Sequence, residues 1–236
     1  MAGVLWLLPV ALGETPWKNY LPAATREAAC RLTHFVAENA KTARAELKRI
    51  GHPVPLRDLA IEELPATPTP ADVERLLAPL RAGHDIGLVS EAGCPAVADP
   101  GALLVRRTHE LGLVVRPLVG PSSLLLALMA SGLEGQRFAF HGYLPARDPA
   151  RASRIAELEK ESGRLQQTQI FIETPYRNRT LFAALLLNCR QKTRLCIATD
   201  LTLASEQITT RRIAEWNAAL PPVLDKHPTV FLLLAD

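Results

Sequence analysis

A short apolar run that breaks into glycine, proline and carboxylate constrains this chain more than any other stretch. Ile86, Leu88 and Val89 read as a buried strand, and the segment from Ser90 to Gly101, SEAGCPAVADPG, holds two glycines and two prolines and reads as a loop. In open α/β sheets, ligands lie in the crevice outside the carboxyl ends of strands, which makes this loop a candidate binding element. Gly93 lets a ligand approach the backbone closely, and Asp99 with Pro100 reads as the N-cap and first residue of a helix through Leu111. A plain strand-to-helix turn is the alternative, because Gly and Pro often only punctuate.

The rest of the chain repeats that strand-then-loop idiom. Strands are expected at Val4 to Leu8, His34 to Ala37 and Leu113 to Leu118, with an edge strand over Val54 to Ile61. Helices are expected at Lys18 to Leu32, Asn39 to Ile50 and Ala71 to Arg81, the last entered from a proline-rich linker over Leu64 to Pro70. Together these make a parallel series of about five strands. Val119 to Ser123, VGPSS, marks the boundary between two halves and opens a helix from Leu124 to Ser131. In the second half, strands are expected at Phe138 to His141, Thr168 to Ile172, Leu195 to Ala198 and Thr229 to Leu234. Pro149 to Gly163 reads as an amphipathic helix with Ile155 and Leu158 inward and Arg151, Arg154, Glu157, Glu159 and Lys160 outward.

Length allows one large domain or two small ones, and the net charge of +3 permits an RNA partner without demanding one. Aromatic residues are only 5%, which leaves little material for stacking on unpaired bases. Cys30, Cys94, Cys189 and Cys196 are far apart and form no CxxC pair, so they read as reduced thiols of a cytoplasmic protein, with no metal site. Val4 to Leu12 is apolar but too short to span a bilayer, and a signal peptide, its rival reading, lacks the usual basic start. Lys41, Arg44 and Lys48 recur at helical spacing, a solvated basic face or a contact for RNA phosphates.

SEAGCPAVADPG is similar to the SDAGTPxISDPG motif of the tetrapyrrole methylase superfamily, in the branch of the ribosomal RNA small subunit methyltransferase I family. Other segments follow in that family's order. PVALGE (Pro9 to Glu14) resembles PTPIGN, VGPSS resembles PGPSA, and GYLPAR (Gly142 to Arg147) resembles GFLP. ETPYRN (Glu173 to Asn178) resembles ESPHR, and TDLTLASE (Thr199 to Glu206) resembles RELTKxxE.

The resemblance implies two α/β domains of the tetrapyrrole methylase, or class III methyltransferase, fold. Residues 1–119 would form the N-terminal domain with a mostly parallel sheet, and residues 120–236 the C-terminal domain with a mixed sheet. It also implies S-adenosyl-L-methionine as cofactor in the interdomain cleft, a hinge near Gly120 and a homodimer. By position, cofactor contact falls to Leu12, Ala92, Gly93, Cys94, Val97, Ser122, Ser123, Glu173 and Leu201. Methyl transfer from a sulfonium is an in-line displacement that needs no metal, only collinear reactants and exclusion of water. A general base near a hydroxyl acceptor would help, and Glu91, Glu173, Asp200 and Glu206 are the carboxylates at strand ends. Lys41 and Arg177 complete the candidate catalytic set, Arg177 equally as an ion-pair partner of Glu173.

Several positions depart from the family pattern. AEDTR appears as AENAK (Ala37 to Lys41), the Lys of ELTK is Leu203, and SDAGT is SEAGC. The family's C-terminal extension has no counterpart in this sequence. Because Lys does not reproduce the fork of Arg, these changes predict a retained donor site with an altered acceptor site. The first expected acceptor is a ribose 2'-hydroxyl of ribosomal RNA in the small subunit. A small molecule such as a tetrapyrrole precursor is the second, and a non-catalytic sensor or assembly partner that binds the cofactor is the third. An α/β hydrolase fails for want of a GxSxG elbow.

Overall fold

The computed structural model describes residues 2–236, which divide into two compact units, Met1–Ser122 and Ser123–Asp236. In the first unit, chain order is β1 (Val4–Leu8), α1 (Ala23–Ala29), β2 (His34–Ala37), α2 (Ala40–Arg49) and β3 (Ala60–Glu63). It continues with α3 (Pro70–Leu76), α4 (Ala78–Arg81), β4 (Ile86–Val89), α5 (Ala102–Glu110) and β5 (Val114–Pro117). The five strands are parallel and lie in the order β3-β2-β4-β1-β5.

Strand alternation sends neighbouring side chains to opposite faces, and each face has its own core. Leu8, Phe35 and Val89 pack with Ala29, Ala43, Leu47 and Ile50 of the α1 and α2 side. Leu5, Val36 and Leu88 pack with Val73, Leu76, Leu80 and Leu104 of the α3, α4 and α5 side. Helices on both faces explain why β4 is buried along its whole length and reads as an apolar run without alternation. Burying each such side chain contributes about 1.5–3 kcal/mol.

Proline accounts for the differences from the expected boundaries. The first helix begins at Ala23 rather than Lys18, because Pro22 holds an extended ψ of 145° and Trp17–Asn19 forms a separate 3₁₀ turn. The edge strand is Ala60–Glu63 rather than Val54 to Ile61, since Pro53 and Pro55 offer no N–H and Leu56–Asp58 turns as a 3₁₀ segment. The helix expected over Ala71 to Arg81 breaks at Leu77, with Pro79 in the first turn of the second piece.

The second unit runs α6 (Ser123–Ser131), β6 (Phe138–Tyr143), α7 (Ala150–Leu165), β7 (Thr168–Ile172) and α8 (Asn178–Asn188). It ends with β8 (Arg194–Thr199), β9 (Gln207–Arg212), α9 (Ile213–Ala218) and β10 (Thr229–Leu234). Its mixed sheet has the order β6-β7-β10-β8-β9, parallel only between β6 and β7. Phe231 and Leu233 of β10 join Ile155, Leu158, Leu185 and Trp216 in the core of α7, α8 and α9. Val230 and Leu232 are equally buried and point to the other side, where α6 packs.

Two side chains expected outward on α7 are buried instead. Arg151 reaches Asp148 at 2.5 Å. Glu159 accepts from the Arg190 backbone N–H at 2.7 Å and from the Thr193 hydroxyl, and so pins the turn between α8 and β8. Burial, with the Glu159 charge beside it, pushes the Cys189 thiol up to about 12. The sequence reading left α8, β9 and α9 unassigned. NRTLFAALLLN is apolar around its whole circumference and shows no helical stripe, and the Thr-rich, half-buried β9 lacks clean alternation.

Candidate functional site

In the first unit, the connection after β1 leads through α1 to β2, and the connection after β4 leads through α5 to β5. The two helices belong to opposite faces, so adjacent strands β1 and β4 send the chain in opposite directions. That is a topological switch point, where an open parallel sheet leaves a crevice at its carboxyl edge.

Three loops meet there. Val10 after β1 and Gly93 after β4 exchange backbone hydrogen bonds, Val10 N–H to Gly93 O at 2.9 Å and Gly93 N–H to Val10 O at 3.3 Å. Gly93 has φ +71°, and a Cβ on it would lie 3.2 Å from Leu12 Cδ2 and 3.5 Å from Pro121 O. The Cys94 thiol, whose pKa burial raises, donates to Pro121 O at 3.3 Å. A Cβ on Gly120 would fall 2.4 Å from Pro9 Cβ, so only glycine lets the loop after β5 lie against the loop after β1. Leu12, Gly93 and Cys94 therefore stand together beside Pro121, and Ser122 is the next residue along.

The β4 loop is shaped by its own side chains. Ser90 Oγ donates to Gly93 O at 3.1 Å, while Asp99 accepts from Ala96 N–H at 2.8 Å and Gly101 N–H at 2.7 Å. Asp99 thus does the work of an N-cap, although α5 itself starts at Ala102. Ala96 and Ala98 take φ of 66° and 62°, a strained setting for residues with a Cβ. Ala92 is exposed and Val97 is 49% exposed, so the rim of this loop faces solvent.

Glu91, also exposed, gives its N–H to Glu38 Oε1 at 3.1 Å. Glu38 was not among the expected residues, and nothing in AENAK marks it; the neighbouring tips of β2 and β4 bring it in. Burial lifts the Glu38 carboxyl above its ordinary range, partly offset by the Glu91 N–H, and the charges of Asp99 and Glu91 add to the rise. Asn39 caps α2 by accepting from Lys41 N–H at 2.9 Å and Thr42 N–H at 3.1 Å. The Lys41 side chain is exposed, and among the described residues its amino group has no carboxylate partner.

In the second unit, β7 and β8 both run antiparallel to β10, so their carboxyl ends share one sheet edge. Glu173 after β7 is buried and accepts from Thr174 N–H and Arg177, both at 2.7 Å. Leu201 after β8 is buried, and Ser123 opens α6 half-buried. Glu206 accepts from Thr202 N–H at 2.7 Å. Asp200 is 5% exposed and accepts from Ser205 Oγ at 2.7 Å and from His227 Nδ1 at 2.6 Å. His227 and Ser205 were not foreseen, and an HP pair before the last apolar run is the only sequence trace of the histidine. The trio is not a hydrolase triad, because the serine bonds the carboxylate rather than the imidazole. Among the described residues, no group of three or more His, Cys, Asp or Glu could hold a metal ion.

This architecture is the tetrapyrrole methylase fold. The crystal structure of the methyltransferase CobJ matches with a TM-score of 0.65 at 17% identity, covering 100% of this chain and 95% of that one. The cobalamin biosynthetic enzyme cobalt precorrin-4 methyltransferase, CbiF, matches with a TM-score of 0.63 at 12% identity, covering 98% and 94%. Curated homologues are named ribosomal RNA small subunit methyltransferase I. The one from Xylella fastidiosa is 44% identical over 104 residues, 44% of this chain and 37% of the relative. That from Mesorhizobium japonicum is 35% identical over 148 residues, 61% of this chain and 49% of the relative. The chain thus spans at most about half the length of the curated relatives it matches. No family model matches the sequence.

Proposed function

We propose that the chain is an S-adenosyl-L-methionine-dependent methyltransferase that acts on ribosomal RNA, with a ribose 2'-hydroxyl as acceptor. The observation that carries this reading is the convergence of the β1, β4 and β5 loops at the switch point, around Gly93 at φ +71°. The residues suit the cofactor. Half-buried Leu12 and half-exposed Val97 offer apolar surface to an adenine ring. Exposed Ala92 and half-buried Cys94 flank Gly93, whose lack of a Cβ lets a nucleoside or amino acid approach the chain closely. Ser122 and Ser123 stand at the start of α6, where a polar or anionic group is favoured.

The cofactor supplies an electrophilic methyl group on a sulfonium. The protein's part is to hold the reactants in line and keep water out, for which loops braced by Val10, Ser90 and Asp99 are suited. In the second unit, we assign Glu173 and Leu201 to the cofactor and Arg177 to holding the Glu173 carboxylate. Lys41 and Glu91, on the neighbouring tips of β2 and β4, are assigned to the acceptor. The exposed amino group of Lys41, with Arg44 and Lys48 behind it on α2, supports a phosphate-bearing acceptor.

We also place the protein in the cytoplasm as a homodimer, following the resemblance. Light scattering on the purified chain tests the homodimer. The function is tested by incubating labelled methyl donor with small ribosomal subunits from a strain lacking the protein. Incorporation at a ribose is expected. Tight cofactor binding by calorimetry without incorporation would instead identify a sensor.

A further inference from the structure

Resting on the methyltransferase reading, we infer that His227 takes the acceptor's proton and that Asp200 positions it. His227 stands two residues before β10, the strand between β7 and β8. Thr229 pairs with Thr199 and Val230 with Ile172, so His227 lies at the edge where β7 ends before Glu173 and β8 ends before Asp200 and Leu201, and its imidazole bonds Asp200. Glu173 and Leu201 are the residues of this unit assigned to the cofactor, and His227 precedes the strand that runs between theirs, with its imidazole on Asp200, the residue before Leu201.

The tautomer follows from the partners. A carboxylate only accepts, so the 2.6 Å contact between Nδ1 and Asp200 Oδ2 puts a proton on Nδ1, and in the neutral ring the lone pair is then on Nε2. Among the described residues, no protein group bonds Nε2, and the side chain is 37% exposed. The main chain at His227 is held as well, since Asn178 Nδ2 donates to the His227 carbonyl at 2.8 Å.

The carboxylates on the same edge are already committed. Glu173 holds Arg177 and Thr174 N–H, Asp200 holds Ser205 and His227, and Glu206 holds Thr202 N–H. Backbone strain points to the same place. Asp200, Thr202 and Lys226 have φ of 52°, 71° and 66°, and a β-branched residue such as Thr202 occupies that region only under constraint.

In the step itself, the acceptor oxygen attacks the methyl carbon and forms the O–C bond as the C–S bond breaks. The electron pair of that bond stays on sulfur, which becomes a neutral thioether. The hydroxyl proton passes to His227 Nε2 and then to solvent, so the positive charge lost at sulfur leaves as a proton.

The test uses the full-length chain, labelled methyl donor and the small subunits described above. His227→Asn keeps an N–H for Asp200 in place of Nδ1 but removes Nε2. Its kcat is expected to fall about 100-fold with KM and cofactor Kd unchanged. His227→Gly, with imidazole added to the buffer, is expected to regain turnover, which a purely structural clasp would not show. A kcat within about threefold of wild type in the Asn variant, or a loss that imidazole leaves untouched in the Gly variant, overturns the assignment. Absence of transfer by the wild type overturns the function itself, a separate and distinguishable failure.

Discussion

The two strand-end rims of this molecule are built by different means. In the first unit, backbone makes the rim: Gly93 pairs with Val10, Gly120 lies against Pro9, and Asp99 folds the loop by accepting N–H groups. In the second unit, side-chain clasps make it: Glu173 with Arg177, and Asp200 with Ser205 and His227. Backbone placed by glycine gives shape at close approach, which suits holding a nucleoside. Side-chain pairs that include an imidazole can also move a proton.

The largest expected effect lies in a side-chain clasp of the second unit away from its rim. Glu159 is the second unit's most deeply committed carboxylate, and Glu159→Ala leaves Arg190 N–H and Thr193 unpartnered. A loss of about 3 kcal/mol is expected. That is an apparent Tm lower by about 6–12 °C in calorimetry, with cofactor affinity retained at temperatures where the variant is folded.

Gly93→Val comes next. A β-branched side chain at φ +71°, pressed toward Leu12 and Pro121, should weaken S-adenosylhomocysteine binding about 100-fold by calorimetry. Unchanged affinity would show that backbone shape at the first rim is not what holds the cofactor.

Lys41→Ala sharpens the division within the first unit. Acceptor turnover should fall about tenfold and the salt slope of RNA binding should shrink by about one, while cofactor Kd stays put. Equal loss of both would merge the two roles.

The smallest expected effect is electrostatic. Glu38 has a raised pKa in the folded chain, so its carboxyl favours the folded state fully below the unfolded value, and that contribution is lost as pH rises through the folded value. Glu38→Gln can still accept from Glu91 N–H and removes the repulsion from Asp99 and Glu91. A Tm gain of about 2 °C at pH 7, absent at acid pH where Glu38 is protonated, is the expected result. A gain that is the same at both pH values would mean charge repulsion is not its source.

Much of the scaffold was legible in one dimension. The bounds of β1, β2, β7 and β10 follow directly from apolar runs with polar or Gly/Pro ends. The loops at Pro9, Ser90 and Val119 were legible too, because glycine and proline punctuate wherever they occur. Legibility failed at α8, whose side chains from Leu181 to Leu187 are all apolar, and at Arg151 and Glu159, which look like a solvated face until Asp148 and Ala146 O engage the first and the 190–193 turn the second.

The sequence by itself determined which segments are strands and where their loops lie, because hydrophobic period and backbone preference are local properties. Only the tertiary structure decided which loops meet. Val10 reaches Gly93, Glu38 reaches Glu91 and Asp200 reaches His227 because sheet order, β3-β2-β4-β1-β5 in one unit and β6-β7-β10-β8-β9 in the other, makes neighbours of strand ends far apart in the chain. That order is set by how two faces of each sheet are covered at once, a balance of burial no single segment contains.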